Sequence, residues 1–166
     1  MKVYIASFFA DKERVAARGE ELKALGITPT MRWPSETAPH TATIKDYPHD
    51  YFRETAVLDV EDILAADVLV LTVPTDAQMA DLPVRSLTRG GRVFESGLLY
   101  GLILAAQISN NFFKRDAELV LCGPRENVFH FLDGVGIAAK YPAIKQCDTW
   151  SEVKEYLVWK KSREEE

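Results

Sequence analysis

The sequence has only two cysteines, Cys122 and Cys147, and three histidines in 166 residues. Two isolated thiols form neither a CxxC knuckle nor a dense disulfide framework, so a pair of buried thiols in a reducing cytoplasm is expected. His40, His49 and His130 lack HxxxH or HExxH spacing, and no metal site is expected from them. The Walker A string, the dinucleotide fingerprint and the GxSxG hydrolase elbow are missing too. There is no long apolar run: residues 93–108, the most apolar stretch, contain Glu95, Ser96 and Gln107 and fall short of the roughly 20 residues that a bilayer span needs. The first ten residues, MKVYIASFFA, run directly into Asp11 and Lys12 and read as a strand rather than a secretory signal. Nor is there a basic excess. Lys and Arg number 20 against 25 Asp and Glu, for a net charge of -5, which argues against a broad basic face for polymeric nucleic acid or an anionic membrane.

The remaining composition, 47% hydrophobic and 27% charged with 9 Gly and 8 Pro, is that of an ordinary globular protein. A chain this long buries about two-thirds of its unfolded surface in one core. A single domain is expected over residues 1–160, with 161–166 as a frayed charged tail. Residues 2–9 read as a buried strand, and Asp11 caps an amphipathic helix that stops at Gly26. Residues 27–32 suggest a second strand, followed by a long Pro- and His-rich loop over 33–48. A helix at about 50–65 precedes DVLVLTV at 67–73, an unbroken apolar run of the kind that forms a strand covered on both faces. A polar stretch over 75–91 leads to a helix over 93–108. Strands at 118–122 and 143–145 follow, and Thr149 with Glu152 form a capping box for the last helix. This alternation predicts a doubly wound α/β domain, a mostly parallel sheet with helices on both faces. In such sheets ligands sit beyond the carboxyl ends of the strands.

Glu95 is the most informative residue, as the only charged side chain in residues 93–108. Burying an unpaired carboxylate is costly, so its place among apolar neighbours such as Phe94 and Leu99 points to use. It follows Gly90 and Gly91 by about a turn, where a helix N-terminus favours the ionised form. An ionised, poorly hydrated carboxylate is a good nucleophile toward an electron-poor sugar carbon. The plainer alternative is a first-turn Glu that complements the helix dipole from the solvent side. Gly97 and Gly101, one turn apart, suit either a dimer seam or close packing of the helix on its own sheet. Asp59 and Asp62 share a helix face and Asp67 opens a strand; by themselves they read as a solvated face and a strand start. The string SLTRGGR at 86–92 joins hydroxyls, two arginines and backbone N–H groups at a helix start, a plausible cradle for an anion.

Four segments in order, KVYIASFF at 2–9, the Asp59–Ile63–Asp67 spacing, GGRVFESG at 90–97 and GPRENVFHF at 123–131, resemble the nucleoside 2-deoxyribosyltransferase family over most of the chain. The resemblance implies a flavodoxin-like fold and cleavage or transfer of the N-glycosidic bond of 2′-deoxynucleosides or their 5′-monophosphates. It implies no metal or organic cofactor. It also implies homodimers or higher homo-oligomers with shared active sites, acting on a small nucleoside or nucleotide, with neither a nucleic-acid polymer nor a membrane as partner. By the same resemblance Glu95 is the nucleophile that attacks C1′. Asp59 stands where an acid assists the leaving base, and Tyr4 where an aromatic hydroxyl orients the nucleophile. Phe8, Phe9 and Trp33 are candidates to stack on the base, with core packing the alternative for at least one phenylalanine. Asn127 is a candidate to reach a neighbouring subunit's sugar, or else a turn residue.

One position departs from the family pattern. Six residues before the nucleophile, where transferases carry an Asp for the sugar 5′-hydroxyl and the monophosphate hydrolases a Ser, this sequence has Arg89. With Arg92, Ser86, Gly90 and Gly91, Arg89 suits a phosphate, since a guanidinium pairs bidentately with phosphate oxygens. Asp76 is the other candidate for the 5′ contact. Transfer and hydrolysis both remain open at this point, and a nucleotide-binding sensor on the same fold is the alternative function.

Overall fold

The computed structural model describes residues 1–35, 48–75, 89–108, 116–125, 128–132 and 134–164. Five parallel strands form one sheet in the order β2-β1-β3-β4-β5: β1 Lys2–Ala6, β2 Thr28–Pro29, β3 Val68–Thr72, β4 Glu118–Cys122 and β5 Ile144–Cys147. Four helices are described: α1 Lys12–Ala24, α2 His49–Ala65, α3 Arg89–Ile108 and α4 Trp150–Glu164. This is the doubly wound arrangement that the alternation predicts, in the flavodoxin-like form that the resemblance implies. The apolar runs explain it. All five residues of β3 and four of the five in β1 and in β4 are buried, as strands with helices on both faces require.

Helices α1 and α4 share one face of the sheet. Glu21 of α1 accepts from Trp150 Nε1 at 3.0 Å and Lys154 Nζ at 2.6 Å of α4, and the Arg18 guanidinium lies 4.7 Å from the Trp150 ring centroid. Helices α2 and α3 pack on each other and on β1, covering the other face. Along α3 the buried positions Arg92, Ser96, Leu99, Ile103 and Ala106 alternate three and four residues apart, the stripe of a helix laid on a sheet.

Several boundaries differ from expectation, each for a local reason. β1 ends at Ala6, and Phe9–Asp11 form a 3-10 turn. Asp11 stands at the N-cap of α1 without capping it, because its carboxylate accepts from Ser7 Oγ at 3.0 Å and pairs with Arg14 Nε at 2.7 Å. β2 is reduced to two residues at the sheet edge, where Pro29 has no N–H to extend a ladder. The Thr149 capping box does form: Glu152 N–H donates to Thr149 Oγ1 at 3.3 Å, while Glu152 Oε2 accepts from Asp148 N–H at 2.8 Å. The frayed tail is corrected over most of its length, since α4 continues to Glu164, held by Ser162 Oγ on the Trp159 carbonyl and by Glu164 near both Lys160 and the N-terminal amine. Among the described residues no helix is long and apolar enough to cross a membrane.

Candidate active site

Along β1 the side chains alternate between faces, and Tyr4 points into the layer of α2 and α3. There its hydroxyl donates to Glu95 Oε1 at 2.9 Å. β1 and β3 are neighbours at the point where the strand order reverses, the place where open α/β sheets bind ligands. Burial raises the Glu95 pKa to about 7; the Tyr4 hydrogen bond pulls it down and the negative charge of Asp59 pushes it up. Tyr4 is fully buried, and desolvation together with the charges of Glu95, Asp59 and Asp62 drives its hydroxyl far above the ordinary tyrosine range. The phenol therefore stays a donor at any working pH. The pair is a carboxylate that titrates near neutrality, with one oxygen held in place.

Asp59 and Asp62 face this pair from α2. Asp59 acts through its charge on both Tyr4 and Glu95. Asp62 is only 5% exposed and Asp59 is half-buried, which corrects the reading of a solvated face fully for Asp62 and in part for Asp59. Its carboxylate accepts from the backbone N–H and from Nε of Arg32, each at 2.8 Å. Arg32 escaped the sequence reading; the only available signal was a cation following a short edge strand. Asp67 does open β3 as expected, its Oδ2 accepting the Lys2 N–H at 2.6 Å.

The glycine loop of the sequence reading is corrected as well. Arg89, Gly90 and Gly91 form the first turn of α3 rather than a loop before it, so Glu95 sits nearly two turns into the helix and its pKa owes more to burial than to the helix start. Arg92 anchors that first turn. It is 3% exposed, its guanidinium lies 4.0 Å from the Phe8 ring centroid, and Nη1 donates to the Thr72 carbonyl at 3.4 Å. Both contacts lie at the carboxyl ends of β1 and β3. Phe94, expected to shield Glu95, instead faces out at 64% exposure, while Leu99 is fully buried.

Trp33, in a 3-10 turn after β2, is buried with its indole N–H on the Ile5 carbonyl at 3.2 Å. Phe8 is likewise buried, beneath Arg92. Core packing thus accounts for the place of both rings. Phe9 opens the 3-10 turn before α1. Asp76, Ser86 and Asn127 lie outside the described residues. Gly97 and Gly101 are exposed, and a Cβ on either would meet nothing within 4 Å; close packing on their own sheet is therefore excluded as their purpose. Among the described residues no group of three or more His, Cys, Asp or Glu could hold a metal ion. A groove of about 710 Å³ runs along β5, lined by Tyr100, Lys145, Tyr156 and Lys160, away from Tyr4 and Glu95. Its carboxylate Glu118 is already bound to Tyr156 and Lys160.

No family model matches the sequence, and no curated protein does. Two solved structures are similar across nearly the whole chain. One is a 2-deoxyribosyltransferase from the psychrotolerant bacterium Bacillus psychrosaccharolyticus, with a TM-score of 0.51 and 16% identity, covering 94% of this chain and 92% of that one. The chain shares the fold of that transferase. The other is a conserved protein from Enterococcus faecalis V583, with a TM-score of 0.49 and 16% identity over 94% of this chain and 98% of that one. The resemblance to the nucleoside 2-deoxyribosyltransferases thus holds at the level of fold, and the site must be argued from its own residues.

Proposed function

We propose that this protein is an enzyme of nucleoside 2-deoxyribosyltransferase type, cleaving or transferring the N-glycosidic bond of 2′-deoxynucleosides or deoxynucleoside 5′-monophosphates. The observation that carries the reading is the Tyr4–Glu95 hydrogen bond at the β1/β3 switch point. Tyr4 holds Oε1, leaving Oε2 to attack C1′. The C1′–N bond breaks as the C1′–O bond forms, its electron pair leaves with the base, and Asp59, in the fraction of molecules where it holds a proton, protonates or hydrogen-bonds that base. A second base, or water, then attacks C1′ while returning a proton to Asp59, and the C1′–O bond to Glu95 breaks with its electron pair going back to the carboxylate, so the anomeric configuration is retained over two displacements. A pKa near 7 keeps a large share of Glu95 ionised at neutral pH while desolvation keeps it reactive.

Arg89, Arg92 and Ser86 are proposed to favour a 5′-phosphate, with Asp76 the alternative contact for a 5′-hydroxyl, and Asn127 to reach a neighbouring subunit's sugar. Val93, Phe94, Gly97, Gly101 and Ile108 leave an exposed, largely apolar strip on α3, which supports a second copy of this chain as partner. The test is incubation of pure protein with deoxynucleosides and monophosphates, with and without a second free base. Base exchange identifies a transferase and base release alone a hydrolase. Tight nucleotide binding without turnover across a broad panel overturns the enzymatic reading in favour of a sensor.

A further inference from the structure

Arg92 and Glu95 are three residues apart on α3 and share a face of the helix, the face turned toward β1 and β3. Each finds a different footing there. Glu95 accepts from Tyr4 within β1, whereas Arg92 reaches the carboxyl end of the sheet, with its guanidinium 4.0 Å from the Phe8 ring centroid and Nη1 on the Thr72 carbonyl at 3.4 Å. That second footing is firm. Phe8 is buried, and Thr72, the last residue of β3, donates its own hydroxyl to the Ala6 carbonyl at the end of β1 at 3.1 Å. Arg92 thus ties α3 to the ends of two adjacent strands that are also tied to each other.

The turn before Glu95 needs such a tie. In an α-helix the N–H of Glu95 pairs with the carbonyl four residues back, here that of Gly91, and α3 opens with Arg89, Gly90 and Gly91. Glycine is the poorest helix former after proline. Among the described residues nothing lies within 4 Å of where a Cβ of Gly91 would be, so no neighbour steadies the turn at that point, and Arg92 is the buried side chain that does. Placement matters to a nucleophile, because misplacing a reacting atom by about 1 Å costs roughly 10²-fold in rate. Resting on the glycosyl-transfer reading of Glu95, we infer that Arg92 is a positioning residue for that reaction: it braces the first turn of α3 against the ends of β1 and β3 so that Glu95 is held at Tyr4 with its other oxygen free for C1′, and it leaves the phosphate contact to Arg89 and Ser86.

A phosphate ligand and a brace fail in different ways. Loss of a phosphate ligand raises KM for monophosphates and spares deoxynucleosides, whereas loss of the brace lowers kcat by the same factor for both with little change in KM. Arg92→Leu is expected to lower kcat about 10- to 100-fold on every substrate that the wild type cleaves, with or without the 5′-phosphate. Where only one of the two classes is cleaved, the split between kcat and KM decides. The turn itself gives a second readout. Adding Gly91→Ala keeps every N–H and strengthens the helix, so the double variant is expected to regain about threefold in kcat. Hydrogen exchange of the 89–96 amides, measured without substrate, is expected to be faster in Arg92→Leu than in the wild type and slower again in the double variant. A KM rise confined to monophosphates overturns the brace, as does a kcat loss with unchanged exchange or one that Gly91→Ala leaves untouched. If exchange moves as expected while the wild type cleaves nothing, the glycosyl-transfer reading fails and the positioning role falls with it, leaving Arg92 as an anchor of the helix start alone. Should Arg92→Leu fail to fold, Phe8→Leu keeps the guanidinium and removes part of its footing: a lower kcat at unchanged KM supports the brace, and an unchanged kcat overturns it.

Discussion

Tyr4 and Glu95 lie 91 positions apart in the chain and meet at 2.9 Å, because β1 delivers one from the centre of the sheet and α3 lays the other over it. A hydrogen bond from a phenol that never ionises in the working range stabilises the charged carboxylate against the desolvation around it. Tyr4→Phe keeps the buried ring and removes only this bond. The expected result is a Glu95 pKa above 7, an acid limb of kcat/KM displaced to higher pH, and a rate near neutrality lower by about tenfold. A pH–rate series on both proteins checks it.

Asp59 acts on Glu95 in the opposite sense, raising its pKa by charge. Asp59→Asn therefore moves the acid limb to lower pH while lowering kcat, since the proton for the leaving base is lost; a loss of about 10²- to 10³-fold is expected. Comparing substrates separates the two effects. A nucleoside whose base leaves readily without protonation loses less rate, while the shift of the acid limb is the same for every substrate.

Glu95→Gln abolishes turnover and also changes stability with a definite sign. A carboxyl whose pKa is raised on folding binds its proton more tightly in the native state, so it favours folding at low pH and penalises it as pH climbs from its ordinary value near 4.5 toward 7. The neutral amide carries no such penalty. Thermal melts should show the variant close to wild type at pH 4.5 and more stable at pH 8, by about 2 kcal/mol. Equal melting at both pH values would mean that Glu95 is not desolvated in solution.

The parts of the fold that were legible in the sequence are those written in contiguous residues: the apolar runs of β1, β3 and β4, the Thr149–Glu152 box, and Glu95 standing alone in an apolar stretch. What could not be read depends on partners distant in sequence. Asp62 looks like any surface acid until Arg32, 30 positions away, closes on it. Gly90 and Gly91 read as a loop because glycine is a poor helix former; the burial of Arg92 between Phe8 and Thr72 holds that first turn in place. Adjacency in the chain places Phe94 beside Glu95, yet at one residue's remove a helix side chain turns about 100° away.

Gly123 closes β4 at φ 110° and lies against β3 so closely that a Cβ would overlap the Val73 carbonyl oxygen. Val73, the residue after β3, is itself held by its N–H on the Cys122 carbonyl at 2.8 Å, while Gly123 N–H donates to the Cys147 carbonyl at 2.9 Å. Gly123→Ala thus meets backbone on one side and a disfavoured φ on the other. A loss of about 3 kcal/mol or more is expected in denaturant unfolding, with activity lost alongside it as the carboxyl ends of β3 and β4 are forced apart.

Gly97 and Gly101 provide the sharpest test of assembly. Each lies in the interior of α3 with open space around it, and glycine there costs about 1 kcal/mol relative to alanine. If nothing covered the strip, filling it would only help. Gly97→Ala with Gly101→Ala therefore stabilises an isolated subunit, by about 1–2 kcal/mol for the pair, whereas in a dimer whose helices approach along this seam the added methyl groups hold the backbones apart. The expected outcome in sedimentation is weaker self-association together with a higher melting temperature at low protein concentration, and activity that falls with dilution more steeply than in the wild type. A double variant that is more stable and equally associated would place the contact between copies elsewhere on the molecule.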